Sequence, residues 1–417
     1  MSAAPRPDAP RYLWLTRYFP YPAHAGDRIY SAKLIEGLVE QDCQVTVFCT
    51  DPNPADCLSQ LPEGAPRQVE WAICRQGGLD RMLLYPFSRL PRHALRLSAA
   101  EPARLLRALL DRRDWDAVLI DYVSMGWVLP LLAQWRRGAG RKVPLVYVSH
   151  NHEASVRQLS WRQSTAPLPI RLAQWVDGKR VAALERALLD HVDLVTVNTG
   201  ADLALFQAEA PRLRYVTLVP GYDGPRLDQR QLTAQTPRRV VVVGNFDWIV
   251  KQQNLLGFLE AAAAPFARHG IGIDIVGSGP EPILAAWRQR FPGVAIHGRV
   301  PAVEPYIQNA RISIVPERTG GGFKHKVLNA VFQRSPIFAI AGSITEMPLQ
   351  EGLSLRQFAD FPALAQGVID EIDNVEALDR QQDAAYQACR DLFYWPDRAL
   401  ILRRSLNIPE SAGKKPC

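Results

Sequence analysis

Cysteine, methionine and long apolar runs are all scarce in this 417-residue chain, and each scarcity removes a class of protein. The six cysteines (Cys43, Cys49, Cys57, Cys74, Cys389, Cys417) form no Cys-x-x-Cys pair and no disulfide-like spacing. That argues against a structural metal and for a reducing, cytosolic setting. No apolar stretch approaches the roughly 20 residues of a membrane-spanning helix. The opening Met1-Ser2-Ala3-Ala4-Pro5-Arg6-Pro7-Asp8 lacks the apolar core of a secretory leader. Low-complexity tracts and short repeats are also missing. What remains is 47% apolar and 22% charged, as in soluble globular proteins, in a chain too long for one ordinary core. Two or three domains are expected.

The formal charge of +7 is unevenly spread. Nine arginines (75, 81, 89, 92, 96, 104, 107, 112, 113) stand between Arg75 and Arg113 against Asp80, Glu101 and Asp111, interleaved with residues such as Met82, Leu83, Leu84, Tyr85 and Phe87. Such a surface suits peripheral contact with an anionic membrane. The bland alternative is a solvated, arginine-rich helix pair. Nucleic acid is not expected, because no recognition motif accompanies the charge.

Strand-like and helix-like patterns alternate along the chain. Arg11–Thr16 is a short apolar run, followed by a loop rich in Pro, Gly and aromatics, a helical pattern from Arg28 to Glu40 and the strand Gln44–Cys49. That is a βαβ unit, which implies a parallel sheet with a right-handed crossover. Further strands are expected at Ala117–Ile120, Leu145–Ser149, Leu194–Val197 and Val216–Val219, with a long helix from Ile170 to Asp190. The polar stretch Pro220–Arg239 reads as a linker. A second series then begins, with strands at Arg239–Gly244, Ile273–Val276, Val294–His297 and Ile312–Pro316, and helices at Leu255–Ala264, Pro280–Arg290 and Ala302–Asn309. The predicted fold is α/β: two facing doubly wound Rossmann-like domains with ligands at the carboxyl ends of their strands. The expected divisions are an N-terminal domain over 1–222, a linker over 223–238 and a second domain over 239–392. A terminal helix is expected over 393–410.

The strand Ile312–Pro316 leads through Glu317-Arg318-Thr319 into Gly320-Gly321-Gly322 and a helical segment, Phe323–Ala330. Three glycines let backbone approach a ligand closely, and a helix start offers unpaired N–H groups to an anion. Lys324 and Lys326 add cations where helix-dipole stability alone would prefer acids. A phosphate-bearing ligand fits this pattern; a glycine-rich surface loop with solvated lysines is the alternative.

Several segments, taken in order, resemble the retaining GT-B glycosyltransferases of the group-1 type, which use nucleotide sugars. They are Gly26-Asp27-Arg28, Val148-Ser149-His150-Asn151-His152-Glu153, Val197-Asn198-Thr199-Gly200-Ala201-Asp202, Val219-Pro220-Gly221-Tyr222-Asp223, Val243-Gly244-Asn245-Phe246-Asp247-Trp248, Val276-Gly277-Ser278-Gly279-Pro280, His297-Gly298-Arg299-Val300 and Gly320–Ala330. Each motif is weak alone; their order over nearly the whole chain is more specific. The sequence departs from the family at a pair of glutamates flanking the glycine turn. Asn329 occupies the second position and Gly321 the first, with Glu317 nearby as a stand-in. Asparagine still accepts a hydrogen bond from a ribose hydroxyl through its carbonyl oxygen.

The resemblance implies GT-B architecture with an interdomain cleft, a terminal helix over 393–410 that packs back on the first domain, and transfer of a hexose from a UDP- or GDP-sugar to a glycan or lipid-linked glycan, with retention. It implies no cofactor and no metal, since cations of the chain can stabilise the departing diphosphate. Lys251, Lys326 and His150 are the candidate catalytic residues. Donor contacts are expected from Gly244, Asn245, Gly277, Arg299, Gly320, Gly321, Gly322, Phe323 and Asn329. Gly26, Asp27, Arg28, Asp121, Tyr122 and Glu153 are the candidate acceptor contacts. The run His150-Asn151-His152-Glu153 does not read as a metal site, because adjacent residues point in different directions. Cell-surface polysaccharide synthesis on the cytoplasmic side of the membrane is the expected setting. A non-catalytic binding protein, suggested by Asn329 and Gly321, and a sugar-nucleotide epimerase are the other readings.

Overall fold

The computed structural model describes residues 9–23, 26–66, 68–112, 115–138, 142–162, 164, 166–318 and 323–406. The chain divides into two compact units: Met1–Gly221 with Trp395–Cys417, and Tyr222–Tyr394.

Seven parallel strands form the sheet of the first unit: β1 (Arg11–Leu15), β2 (Gln44–Asp51), β3 (Glu70–Arg75), β4 (Ala117–Asp121), β5 (Leu145–Val148), β6 (Leu194–Val197) and β7 (Arg214–Thr217). Their spatial order is β3-β2-β1-β4-β5-β6-β7. The order reverses between β1 and β4, and the carboxyl ends of those two strands mark the position where open α/β sheets bind ligands. The central strands are apolar throughout because both faces are covered. Alternation then sorts their side chains: Leu13, Leu15, Val118 and Ile120 join one core, and Tyr12, Trp14, Ala117 and Leu119 the other. The second core is closed by α1 (Gly26–Glu40) and by the C-terminal helix Trp395–Leu406, which contributes Trp395, Leu402 and Leu406. These two helices cross tightly: a Cβ on Gly37 would lie 2.5 Å from that of Ala399. On the opposite face lie α2 (Arg92–Leu97), α3 (Ala100–Arg112), α4 (Glu153–Arg162) and α5 (Leu168–His191).

The second unit repeats the plan with β8 (Arg239–Val243), β9 (Gly272–Val276), β10 (Val294–Gly298), β11 (Ile312–Val315), β12 (Ile337–Ile340) and β13 (Arg356–Phe358). All pairs are parallel, in the order β10-β9-β8-β11-β12-β13, which places the reversal between β8 and β11. Two Rossmann-like domains are therefore present. The helices that matter for the second site are α6 (Ile249–Arg268) and α7 (His325–Phe332). Residues 223–238 pack on the second unit. Arg230 donates to the carbonyls of Gln308, Ala310 and Arg334, and the Leu232 N–H donates to Asp379.

Three strands have no counterpart in the sequence reading. β3 is a half-exposed edge strand, β13 has three residues, and β12 is a four-residue run directly after Pro336.

Candidate functional site

At the carboxyl end of β4 the chain turns through Tyr122, whose φ of 78° and ψ of 144° fall in a region side chains rarely adopt. Such strain costs about 1–3 kcal/mol and persists only where the surroundings enforce it. Here the Tyr122 ring stacks on His150 at 4.0 Å and 7°, and its hydroxyl lies 2.8 Å from that of Tyr18. Parallel register sets Asp121 beside Val148, so His150, two residues beyond β5, arrives next to the end of β4. Its Nε2 is 2.7 Å from Asp121 Oδ1. The Asp121 carboxylate is fully buried, and Oδ2 accepts from Trp14 Nε1 at 2.9 Å and Ser31 Oγ at 2.7 Å. With Asp121 accepting, Nε2 carries the ring proton and Nδ1 keeps its lone pair. This is a histidine whose orientation and tautomer are both set by a buried carboxylate.

Around this dyad the loop after β1 supplies Arg17 and Tyr18. Arg17 donates to Asp27 Oδ2 at 2.9 Å and lies over the Tyr122 ring at 4.0 Å, and Tyr18 donates to the same Asp27 oxygen. Arg28 stacks on Tyr18 at 4.6 Å. Burial alone would raise the pKa of Asp27, but the Tyr18 hydroxyl, Arg17 and His150 outweigh it and hold the carboxyl below its ordinary value. Arg17 and Tyr18 were not singled out from the sequence. The available signal was their position directly after the strand at which the sheet order reverses.

Asp121, expected to touch an acceptor, is instead enclosed and engaged on both oxygens, which suits it to positioning His150. Glu153 opens α4, where its own N–H and that of Ala154 donate to Glu185 on α5 at 3.1 and 2.8 Å. Glu185 also accepts from the Tyr147 hydroxyl at 3.0 Å. Burial pushes its pKa up to about 7 against these three donors. His152 is buried, with its ring against Ser155 and Glu209. Gly26 is the exposed first residue of α1.

In the second unit the reversal between β8 and β11 brings together Gly244, just past β8, and Glu317, two residues past β11. Glu317 is 5% exposed and forms ion pairs with Lys326 and, at 3.1 Å, with Lys324. Burial would raise its pKa; Lys326, Lys324 and Lys251 reverse the effect and lower it to about 2. Burial and the neighbouring Lys326 charge push the Lys251 pKa below its ordinary value. Two lysines thus pair with one carboxylate, and Lys251 stands near enough for its charge to act on it as well. His325 does not add to that charge, because burial lowers its pKa to about 4. A Cβ on Gly244 would lie 3.7 Å from the Lys326 ammonium, so this cation sits over bare backbone. Gly277, at the end of β9, has φ of 144°, and a Cβ there would overlap the Gly244 carbonyl oxygen at 1.6 Å. Only glycine permits that approach.

Lys251, Lys326, Gly244 and Gly277 are therefore brought together. Asn329 stands three residues after Lys326 on α7, on the same helix face. Phe323 precedes α7 and has its ring 5.4 Å from that of His325. Asn245 is exposed, its carbonyl oxygen accepting from the Asp247 N–H, and Arg299 is exposed beyond β10. Gly320, Gly321 and Gly322 lie outside the described residues.

Among the described residues no group of three or more His, Cys, Asp or Glu could hold a metal. The chain does contain one Asp-x-Asp triplet, Asp114-Trp115-Asp116. Asp116 precedes β4 at the amino end of the sheet and accepts from the Arg11 N–H at 2.8 Å; Asp114 lies outside the described residues. Within the arginine-rich stretch 75–113, Leu95, Leu97, Leu106, Leu109 and Leu110 face the core. What the stretch exposes is the 3₁₀ segment Leu79–Phe87, with Leu83 at 79% and Phe87 at 88% exposure. No described helix is long and apolar enough to cross a membrane.

Residues 26–221 match the model of the "Glycosyl transferase 4-like domain", and residues 237–374 that of "Glycosyl transferases group 1". No curated protein sequence matches the chain significantly. Solved structures share the fold at low identity. Sucrose-phosphate synthase from Thermosynechococcus elongatus is 17% identical, with a TM-score of 0.69 over 95% of this chain and 98% of that one. HepE of Anabaena, in complex with UDP-glucose, is 13% identical, with a TM-score of 0.64 over 95% and 99%. The pneumococcal O-GlcNAc transferase GtfA, in complex with UDP and GlcNAc, is 10% identical, with a TM-score of 0.62 over 96% and 99%.

Proposed function

We propose that the chain is a glycosyltransferase of the GT-B fold and that it moves a hexose from a UDP- or GDP-sugar to a glycan or lipid-linked glycan. The reaction retains configuration, needs no metal, and serves the synthesis of a cell-surface polysaccharide at the cytoplasmic side of the membrane. The observation that carries the reading is the cluster of Lys251, Lys324 and Lys326 around Glu317 beside the bare backbone of Gly244. As the bond to the sugar breaks, negative charge collects on the departing diphosphate. Fixed cations stabilise that charge most where water is excluded, and need no reorganisation. The UDP and UDP-glucose complexes of HepE and GtfA support a nucleotide-sugar donor.

The first unit takes the acceptor. His150, held by Asp121 and Tyr122, orients a hydroxyl of donor or acceptor. Arg17 and Arg28 stabilise anionic groups of the acceptor. Asn329 favours a second reading, a non-catalytic nucleotide-sugar-binding protein, because an amide accepts from ribose hydroxyls less strongly than a carboxylate does.

The purified chain, incubated with a panel of UDP- and GDP-sugars and membrane extract, is expected to release nucleoside diphosphate from one donor only when acceptor is present. Lys326→Ala should lower that release by about 10²–10³-fold in a protein that remains folded. Donor binding without turnover under every condition gives the second reading the field.

A further inference from the structure

A pocket of about 240 Å³ lies in the first unit between α2, α4 and α5, lined by Arg92, His93, Arg157, Trp161, Gln174 and Asp177 among others. It is smaller than the roughly 300–1,000 Å³ of sites that enclose a whole organic ligand, and suits a compact head group. Its charge points to an anion. Arg157 has a buried Nε with no hydrogen-bond partner among the described residues, and Glu153 Oε2 stands 3.8 Å away. A buried Nε without a hydrogen-bond partner among the described residues is found also at Arg17, Arg96 and Arg171, all in the first unit. The lining carboxylate, Asp177, is already engaged: one oxygen accepts from the Tyr85 hydroxyl at 3.0 Å and the Arg92 N–H at 2.9 Å. Desolvation lowers the pKa of His93, and the charges of Arg17 and Arg157 act in the same direction. Arg17 thereby ties the pocket to the end of β1.

Exposed apolar side chains stand on α5 and on the segment tied to it. Tyr85 fixes the 3₁₀ segment Leu79–Phe87 to α5 through Asp177 and through Arg180, which donates to the Tyr85 carbonyl at 2.9 Å and lies over its ring at 4.2 Å. That segment exposes Leu83 and Phe87. The first turns of α5 expose Leu168 at 76% and Leu172 at 58%, with Trp175 at 42%. Exposed apolar side chains on two elements, with the Arg92 and Arg157 side chains lining the pocket beside them, match a lipid that carries phosphate at one end.

We propose that this pocket holds the phosphate of a lipid-phosphate acceptor carrier, with the lipid chain running over Phe87, Leu83 and the start of α5. The inference rests on the transferase reading for the word acceptor, but the binding site is testable without it.

The test is co-sedimentation of the full chain with phosphatidylcholine vesicles, with and without a long-chain prenyl phosphate, alongside a separate assay of nucleotide-sugar turnover. Each basic group near an anionic lipid surface is worth about fivefold in binding, so Arg92→Gln with Arg157→Gln should lower capture by more than about tenfold. Phe87→Ser with Leu168→Ser should lower capture by plain and charged vesicles alike. Arg104→Gln with Arg107→Gln on α3 removes the same charge from another face and should change little. Equal capture by plain vesicles, equal loss in the α3 variant, or release of the protein by millimolar inorganic phosphate as readily as by prenyl phosphate would each overturn the site. Turnover of a donor by a protein indifferent to the lipid also overturns it and leaves the transferase reading intact. Specific capture without turnover supports the pocket and counts against transfer.

Discussion

The two units share one strand order and solve the same problem, what to place at the reversal point, with opposite chemistry. In the first, aromatic rings and one enclosed carboxylate fix a single histidine, and Arg17 is balanced by Asp27. In the second, lysines outnumber the acid they surround. Each unit also buries one glutamate, and the contrast carries through. Glu185 is met by neutral donors and its pKa rises to about 7, whereas Glu317 is met by ammonium groups and its pKa falls to about 2. Burial acts the same way on both; the sign is decided by whether the neighbours are dipoles or charges. The sheet therefore supplies position, and the residues just beyond its central strands supply function.

The contrast breaks first if the cations are only structural. Lys326→Ala should lower kcat by about 10²–10³-fold while the donor KM changes little, the loss expected for removing one fixed stabiliser of transition-state charge. Steady-state kinetics on a folded variant decides it, and an unchanged kcat removes the second site from the chemistry. Glu317→Gln should cost about 3 kcal/mol of stability, because it leaves buried ammonium groups without their partner. Chemical denaturation of the second unit measures that loss. In the wild type the Glu317 contribution is present above its ordinary pKa of 4.5 and is lost as pH falls towards about 2, since the folded state holds the ionised form.

How much of this was legible depended on sequence distance. The central strands were readable because runs such as Val240-Val241-Val242-Val243 are apolar without interruption, and the glycine turn drew attention to Lys326. Lys251 and Lys326 could be proposed singly, but their meeting around Glu317 follows from β8 pairing with β11, seventy residues apart, which no local pattern shows. The dyad is similar: Asp121 and His150 are brought together by the register of β4 on β5. β3 and β13 escaped because edge strands lack the two-sided burial that makes a continuous apolar run. The arginine-rich stretch was legible only in composition: α3 turns Leu106, Leu109 and Leu110 inward, and further exposed apolar side chains stand on α5, far along the chain, which no pattern within 75–113 shows.

Glu185 sharpens the comparison from the other side. With a folded pKa near 7 against an ordinary 4.5, the folded first unit binds a proton that the unfolded chain releases. Stability from this group is complete below pH 4.5 and is lost as pH rises through 7, with a slope of at most about 1.4 kcal/mol per pH unit. Glu185→Gln should flatten that slope, and denaturation midpoints at several pH values between 5 and 8 read it out. The same change should leave the acid limb governed by Glu317 untouched. If one variant moves both limbs, the two glutamates are not independent and the contrast between units fails.

The smallest expected effect concerns Asp121, which touches neither substrate in this account. Asp121→Asn keeps the shape and still accepts one hydrogen bond, but it cannot satisfy Trp14, Ser31 and His150 together, and its amide nitrogen turned towards the ring would favour the wrong tautomer. About a tenfold fall in kcat is expected, equivalent to about 1.4 kcal/mol, with donor KM unchanged. A purely structural role would instead lower the stability of the first unit and the amount of active enzyme while kcat per active site stays at the wild-type value. A positioning role lowers kcat per active site in a protein of unchanged stability, because the imidazole is no longer held in one orientation. His150→Ala should then lower kcat at least as far, and adding Asp121→Asn to it should cost nothing further, since Asp121 acts only through the ring. Losses that add in the double variant would separate Asp121 from His150, and an unchanged kcat in both single variants would leave the lysines as the whole of the catalytic apparatus.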